Sequence, residues 1–511
     1  MRLGSTLSIA LRGLSGQVVT VEAHVAPGLP AFAISGLPDA ACAQSPSRIR
    51  AAALVADHPI PSDRVTVNLS PSSIPKRGSG FDLPIACALL MAQGVIGLSA
   101  REIVHLGELG LDGTIREVPG VLPAVVAAAR AGAERVVVPL GNAAEASLVH
   151  GVHVHAFATL KDLIDAYRTT PVERFPITGE AALADVLPRG HGDLADVVGQ
   201  EPARLALEIA AAGGHHLMLT GPPGAGKTML AERLVTVLPR LSRDEALGVM
   251  SVRSVLGEIT KDVSLDTTPP FIAPHHSASM AAIIGGGGGA HIRPGAVSRA
   301  DRGVLFLDEA PEFKKDVLQS LRQPLESGRV VVARARESVT FPARFQLVLA
   351  ANPCPCGMAY GKGIECRCQP REVRSYLGRI GGPLADRVDL QIHVAPVSLA
   401  TLNAAPGESS AVVASRVQEA REFQRQRWDP LGFSLNAEVP GRVLRRGRFA
   451  LPLNQLGELH QALDRGWLTL RGFDRCLRLA WTLADLRGAT TPTRDDIGVA
   501  VGLRGRGTVA A

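Results

Sequence analysis

No run of the 511-residue chain reaches the roughly 18 uninterrupted apolar residues that a membrane-crossing helix requires; the best candidate, residues 85–98, is short and carries Gln93. No membrane partner is expected. Cysteine is sparse, seven in all, which excludes a disulfide-built scaffold. Residues 1–11 hold an apolar run too brief for a secretory signal, so a reducing cytoplasm is the expected location. Lysine is scarce too: only seven of the 54 basic residues are lysines, so a lysine inside a motif stands out. The net charge of +6, from 54 basic against 48 acidic residues, permits a polyanionic partner without demanding one. Hydrophobic residues make up 46% of the chain, enough for real cores and too many for general disorder.

The segments that are present divide the chain. Residues 1–170 alternate β-rich runs (17–25, 64–69, 135–138) with apolar helical runs (83–93, 122–131), an α/β pattern. A polar, proline-containing stretch, 171–192, is expected to be a linker. Residues 193–396 carry a second strand and helix series with the phosphate chemistry; 397–440 are expected to connect it to a helical piece, 441–511, whose clearest periodicity is at 473–486.

The sharpest signal is Gly221-Pro222-Pro223-Gly224-Ala225-Gly226-Lys227-Thr228, after a strand-like run and before a helix-forming one. That context is what the G-x-x-x-x-G-K-[ST] pattern requires. Glycines let backbone N–H groups wrap a phosphate at a helix N-terminus, Lys227 neutralises the outer phosphates of ATP, and the Thr228 hydroxyl can ligate Mg2+. A second apolar strand ends in Asp308-Glu309, two carboxylates where open α/β sheets place their ligands. Asp308 is expected to hold Mg2+ and Glu309 to polarise the attacking water. A third strand, 345–351, ends at Asn352, read as orienting the same water; a turn residue before Pro353 is the plainer reading. Arg387 directly precedes a further strand, where it could reach a neighbouring subunit's γ-phosphate or make a surface ion pair.

Together the P-loop, Asp308-Glu309, Asn352 and Arg387 resemble Walker A, Walker B, sensor 1 and arginine finger of an AAA+ ATPase. Ala273-Pro274-His275-His276, the glycine-rich run to Arg293-Pro294-Gly295, and Asn352-Pro353-Cys354-Pro355-Cys356-Gly357 narrow the likeness to the magnesium-chelatase-like ComM/YifB subfamily. The resemblance implies a hexameric ATP-driven ring, DNA as partner through branch migration, and a C-terminal α-helical lid; the chelatase kinship leaves a remodelling ATPase that drives metal insertion into a tetrapyrrole as the alternative. Arg471 is the choice for the lid's sensor 2 arginine, with Arg475 and Arg478 one and two turns further on. It also implies that residues 1–170 form a Lon-protease-like, S5-like α+β domain. Lon proteases use a Ser-Lys dyad there; Gly80 stands where the serine belongs and Ser79 is one residue out of register, so a non-proteolytic domain is expected.

Cys354, Cys356, Cys366 and Cys368 flank a loop rich in glycine and basic residues, a pattern suited to a structural Zn2+; free loop thiols are the alternative. For DNA, a hairpin over 329–341 brings Arg334 and Arg336 near its turn, and Arg293 lies in the glycine-rich insertion. Phosphate contacts there would position DNA without reading bases, and solvated loop arginines are the bland alternative. His275 and His276, being adjacent, are read as structural.

Overall fold

The computed structural model describes residues 2–177, 183–184, 192–259, 263–287, 292–334, 337–361, 363–396 and 406–504. Among these, no helix is long and apolar enough to cross a membrane. The architecture is α/β with several hydrophobic cores.

The N-terminal part is built on a seven-stranded mixed sheet. β1 (Arg2–Arg12) and β2 (Ser15–Ala26) pair antiparallel along their whole lengths, from Arg2 opposite Val25 to Arg12 opposite Ser15. With β3 (Ala31–Ser35), β4 (Arg64–Ser70), β5 (Val104–His105), β6 (Arg135–Pro139) and β7 (His153–Phe157) the order is β3-β4-β2-β1-β5-β6-β7. Alternation dictates which face is covered: Val19, Val21, Ala23 and Val25 of β2, and Val65, Val67 and Leu69 of β4, are all buried. Helix α1 (Asp82–Gln93) is buried from Asp82 to Ala92, as an apolar run on every side demands. Its first residue, Asp82, is kept in place by Ser45 and Arg48, each at 2.5 Å.

The second part is a five-stranded, all-parallel sheet. Its strands are β8 (Leu217–Thr220), β9 (Phe271–Ile272), β10 (Val304–Leu307), β13 (Gln346–Ala351) and β14 (Leu390–His393), ordered β9-β10-β13-β8-β14. β10 and β13 are buried at every position, which runs of Val, Leu, Phe and Ala permit in a sheet covered on both faces; the polar exception, Gln346, donates to Ala210 O and His215 O, each at 2.7 Å. The intervening strands β11 (Arg329–Arg334) and β12 (Glu337–Pro342) form the expected hairpin. Helices α3 (Glu201–Gly213) and α4 (Lys227–Val237) share the core with β8.

The two sheets are joined through α5 (Arg243–Leu256), which packs against α2 (Val121–Arg130). Leu241, Ala246, Val249 and Met250 share one core with Val121, Leu122, Val125 and Val136. Ser254 anchors the contact: its hydroxyl donates to buried Glu145 at 2.6 Å and its carbonyl accepts from Gly120 N at 3.0 Å. At a second point Arg12, at the β1–β2 turn, donates to Ser338 O of the hairpin at 2.7 Å.

The stretch 397–440, expected to connect the second part to the C-terminal helices, contains a 19-residue helix, α6 (Ser410–Trp428). It turns only Ser410, Val413, Val417, Ala420, Gln424 and Trp428 firmly inward among charged neighbours, so little in its composition announces it. It packs on α3 and on α7 (Leu470–Leu486), with α8 (Arg494–Leu503) beyond. Trp428, Phe449 and Trp481 cluster there, with ring centroids 4.5 to 6.0 Å apart. Much of the expected linker 171–192 lies outside the described residues.

The C-terminal helices are tied to the parallel sheet by a buried carboxylate. Asp389, just before β14, faces His215 Nδ1 at 3.6 Å, accepts from His216 N at 3.1 Å and pairs with Arg475 of α7. Burial alone would raise its pKa; Arg475 and the two histidines hold it well below the usual carboxylate range. A carboxylate depressed in this way lends stability above its unfolded pKa and loses it as the pH falls toward the folded one. Arg475→Ala leaves the charge buried and unpaired, and is expected to destabilise the chain by about 3–5 kcal/mol. Denaturant unfolding followed by tryptophan fluorescence measures this; an unshifted midpoint would show that the pair contributes nothing net.

Candidate nucleotide site

The site forms where three parallel strands end side by side. β8 runs into the P-loop, β10 ends in Asp308-Glu309, and β13, which carries Asn352, lies between them. Gly224 and Gly226 take φ of +74° and +88°, which glycine adopts without strain, and no atom lies within 4 Å of where their Cβ would stand. The cradle is open. Gly226 caps α4 without any side-chain hydrogen bond, so the N–H groups of the first turn, beginning at Lys227 and Thr228, have no capping side chain.

Lys227 is only 8% exposed. Its ammonium donates to Gly221 O at 2.8 Å, Pro222 O at 2.9 Å and Asn352 Oδ1 at 3.1 Å. Burial lowers its pKa, and Asp308 and Glu309 oppose that fall. Thr228 Oγ1 donates to Asp308 Oδ2 at 3.0 Å, bringing two hard oxygens together at the mouth of the cradle. Thus the predicted Lys227, Thr228, Asp308 and Asn352 meet, with Glu309 next to Asp308. Pro223 and Ala225 complete the loop, Pro223 exposed and Ala225 buried. The donor set fits a triphosphate with Mg2+: uncapped N–H groups and an ammonium for phosphate, a hydroxyl and a carboxylate for the ion.

Glu309 is about half exposed and sits at φ +49°, a region a non-glycine residue rarely occupies. Its Oε2 lies 3.4 Å from His276 Nδ1. His276 was read from the sequence as structural. The fold gives it a different place, since β9 pairs with β10 and carries the His275-His276 segment toward the carboxylates. The His275 ring lies tilted against that of His276, with centroids 4.1 Å apart, and bonds Ser277 Oγ at 2.8 Å. Adjacent histidines after a strand were the only available signal; a separation of 33 positions between His276 and Glu309 in sequence hid the contact.

Other predicted residues are not brought to this cluster. Arg387 pairs with Glu326 and donates to Pro383 O at 2.5 Å. Arg471 is exposed in the first turn of α7, without a hydrogen bond or ion pair among the described residues, whereas Arg475 is engaged by Asp389 and Arg478 donates to Val439 O at 2.8 Å. Arg334 is exposed at the end of β11, Arg293 is exposed opposite Gly286, and Arg336 lies outside the described residues.

The cysteines converge. Cys354 Sγ lies 3.3 Å from Cys356 and 3.7 Å from Cys366, and Cys356 lies 3.8 Å from Cys366. All four sulfurs, Cys368 included, are within 4.8 Å of one another. The Met358 backbone N–H, then the Cys354 thiol, pull Cys356 down to about 6, toward the thiolate that metals bind.

In the N-terminal part, Lys76 is fully buried with its ammonium on Pro71 O, and burial lowers its pKa. Ser79 donates to Glu108 instead.

Three protein-family models cover most of the chain: "Magnesium chelatase, subunit ChlI" matches residues 193–402, "Subunit ChlI of Mg-chelatase" 21–142, and "Magnesium chelatase, subunit ChlI C-terminal" 407–504. An uncharacterized protein of Mycobacterium tuberculosis H37Rv is 50% identical over 508 residues, 99% of either chain. The competence protein ComM of Haemophilus influenzae is 38% identical over 514 residues, 99% of this chain and 98% of that one. The uncharacterized protein YifB of Escherichia coli K12 is 37% identical over 513 residues, covering 99% and 97%.

His276→Ala frees Glu309 and is expected to lower ATP turnover roughly tenfold with KM little changed, while His276→Gln restores part of it. Steady-state ATPase assays decide; turnover equal to wild type would show that the contact is idle.

Proposed function

The chain belongs to the magnesium-chelatase-like ComM/YifB family, and on that footing we propose that it is an ATP-hydrolysing AAA+ motor acting on branched or single-stranded DNA in the cytoplasm. The observation that carries the reading is the junction of three strand ends, where Lys227 reaches Asn352 and Thr228 reaches Asp308. Phosphoryl transfer to water asks for positioning and charge control more than covalent chemistry, and this set supplies both. Lys227 and the N–H groups of the P-loop would bind the phosphates, and Thr228 with Asp308 would hold Mg2+, which neutralises charge on the phosphate oxygens. Glu309 would accept a proton from the attacking water, with Asn352 orienting that water from the neighbouring strand end.

Arg387 and Arg471 would complete the site in a ring of subunits, six by analogy with AAA+ proteins. Arg387 would act across the subunit boundary, which agrees with its separation from the cluster in a single chain. Arg471 would act from the C-terminal helices as a lid, being the one of its three neighbours left unengaged. Arg334, Arg336 and Arg293 would grip DNA phosphates without base specificity. The four cysteines would hold structural Zn2+. The N-terminal S5-like, Lon-like domain serves assembly or DNA contact in this reading; the pairing of Ser79 with Glu108 rather than Lys76 speaks against proteolysis.

The test is ATP turnover of the assembled chain titrated with single-stranded, duplex and four-way-junction DNA. DNA is expected to raise turnover severalfold, and Lys227→Ala to abolish it. Turnover lost in Lys227→Ala but indifferent to every DNA would leave an ATPase and remove the nucleic-acid role. Peptide cleavage that survives Lys227→Ala and disappears in Lys76→Ala would favour a protease instead.

A further inference from the structure

We infer that a zinc ion held by Cys354, Cys356, Cys366 and Cys368 sets the shape of the nucleotide site, by fixing both the strand end that carries Asn352 and the loop that presses on Pro223. The consequence for ATP rests on the ATPase reading; the metal itself does not.

The cage comes first. Four thiolates at Zn–S distances of ~2.3 Å around a tetrahedral ion lie about 3.8 Å apart. Three of the separations, 3.3, 3.7 and 3.8 Å, lie at or below that value, and all four sulfurs lie within 4.8 Å of one another. Among its described residues the loop between Cys356 and Cys366 is closed by short-range backbone hydrogen bonds and little apolar burial: Gly361 and Gly363 take φ of +57° and +63°, and Ile364 is 85% exposed. Closing such a loop costs entropy that apolar burial does not offset here, and a metal can. A cleft of ≈ 680 Å³ lined by Cys356, Cys368, Arg371 and Tyr376 lets an ion or a chelator reach the exposed side of the cage.

The coupling follows from two contacts. Asn352 is two residues before Cys354, and its Oδ1 accepts the Lys227 ammonium. Anchoring buried Cys354 therefore anchors the lysine's partner. On the other side of the cage Gly357, at φ +78°, approaches the P-loop so closely that a Cβ there would lie 2.7 Å from Pro223 Cγ and Cδ. The metal loop is thus seated on one wall of the phosphate cradle while its first ligand steadies the other.

Purified full-length protein is expected to carry about one zinc per chain by elemental analysis, and after exchange to Co2+ to show thiolate-to-cobalt charge-transfer absorption. Cys356→Ser, at the exposed ligand, is expected to lose the metal and to bind a fluorescent ATP analogue about tenfold more weakly. Gly357→Ala keeps all four sulfurs; it is expected to retain zinc while showing the same weakening. Lys227→Ala should keep zinc and lose nucleotide, which separates the metal from the ATPase reading. Wild-type protein without zinc, or with an iron–sulfur absorption in its place, overturns the inference. So does folded Cys356→Ser or chelated wild-type protein whose nucleotide affinity is unchanged. If Cys356→Ser does not fold, reversible chelation and Gly357→Ala decide alone: wild-type affinity in both overturns the coupling.

Discussion

A buried ammonium needs acceptors, and the position of Lys227 follows from that need. Taken out of water it must be surrounded by oxygen, and it finds two carbonyls of its own loop and the amide of Asn352. The two carbonyls come with the loop. The amide comes from elsewhere in the chain, and it is available only because β13 inserts between β8 and β10. Thr220 lies opposite Ala351 in register, so both strands end at the same height, and Gly221 N donates to Ala351 O at 3.2 Å. A one-residue slip would turn alternate side chains of β13 to the wrong face and separate lysine from asparagine. The fully buried β10 and β13, apolar but for Gln346, supply the burial that holds this alignment.

The N-terminal sheet is held to this arrangement at two places, and the places differ in chemistry. At α2 and α5 the contact is a shared apolar core with Ser254 and Glu145 buried in it. At the hairpin it is local: Arg12 reaches Ser338, and Leu14 packs against the core that includes Val339 and Phe341. The hairpin base is therefore braced by the N-terminal sheet while Arg334 stands exposed beyond it. A sliding motion between the sheets would have to break the larger contact first.

What could be read from the sequence was what covalent spacing fixes. The P-loop, the Asp308-Glu309 pair at a strand end, and the 329–341 hairpin are contiguous, and the structure has them where the pattern puts them. The cysteines were legible for the same reason, two pairs on one loop. Contacts between separate strands left no such trace. His276 meets Glu309 because β9 and β10 are neighbours, and strand order is not written in either segment. Gly357 against Pro223 joins two loops more than a hundred residues apart. Asp389 and Arg475 each look ordinary alone, and only burial together makes them a tie between sheet and helices. The bounds of helix α6 were not legible because its inward positions are few and the rest of its surface is charged.

The two charged ends of the site are held with unequal firmness, and this bears on how a motor works. Lys227 is buried and hydrogen-bonded three times, so its position is given before any nucleotide arrives. Glu309 is half exposed, kept in an unfavourable backbone region, and touched from outside its own strand by His276 at 3.4 Å. A strained backbone needs surrounding contacts to persist, and here they are few. On the proposed reading, binding falls to a rigidly held side chain and proton acceptance to one held by fewer contacts. β9 runs on through His276 into the glycine-rich insertion that bears exposed Arg293, so His276 is the point at which that insertion's stem and Glu309 meet.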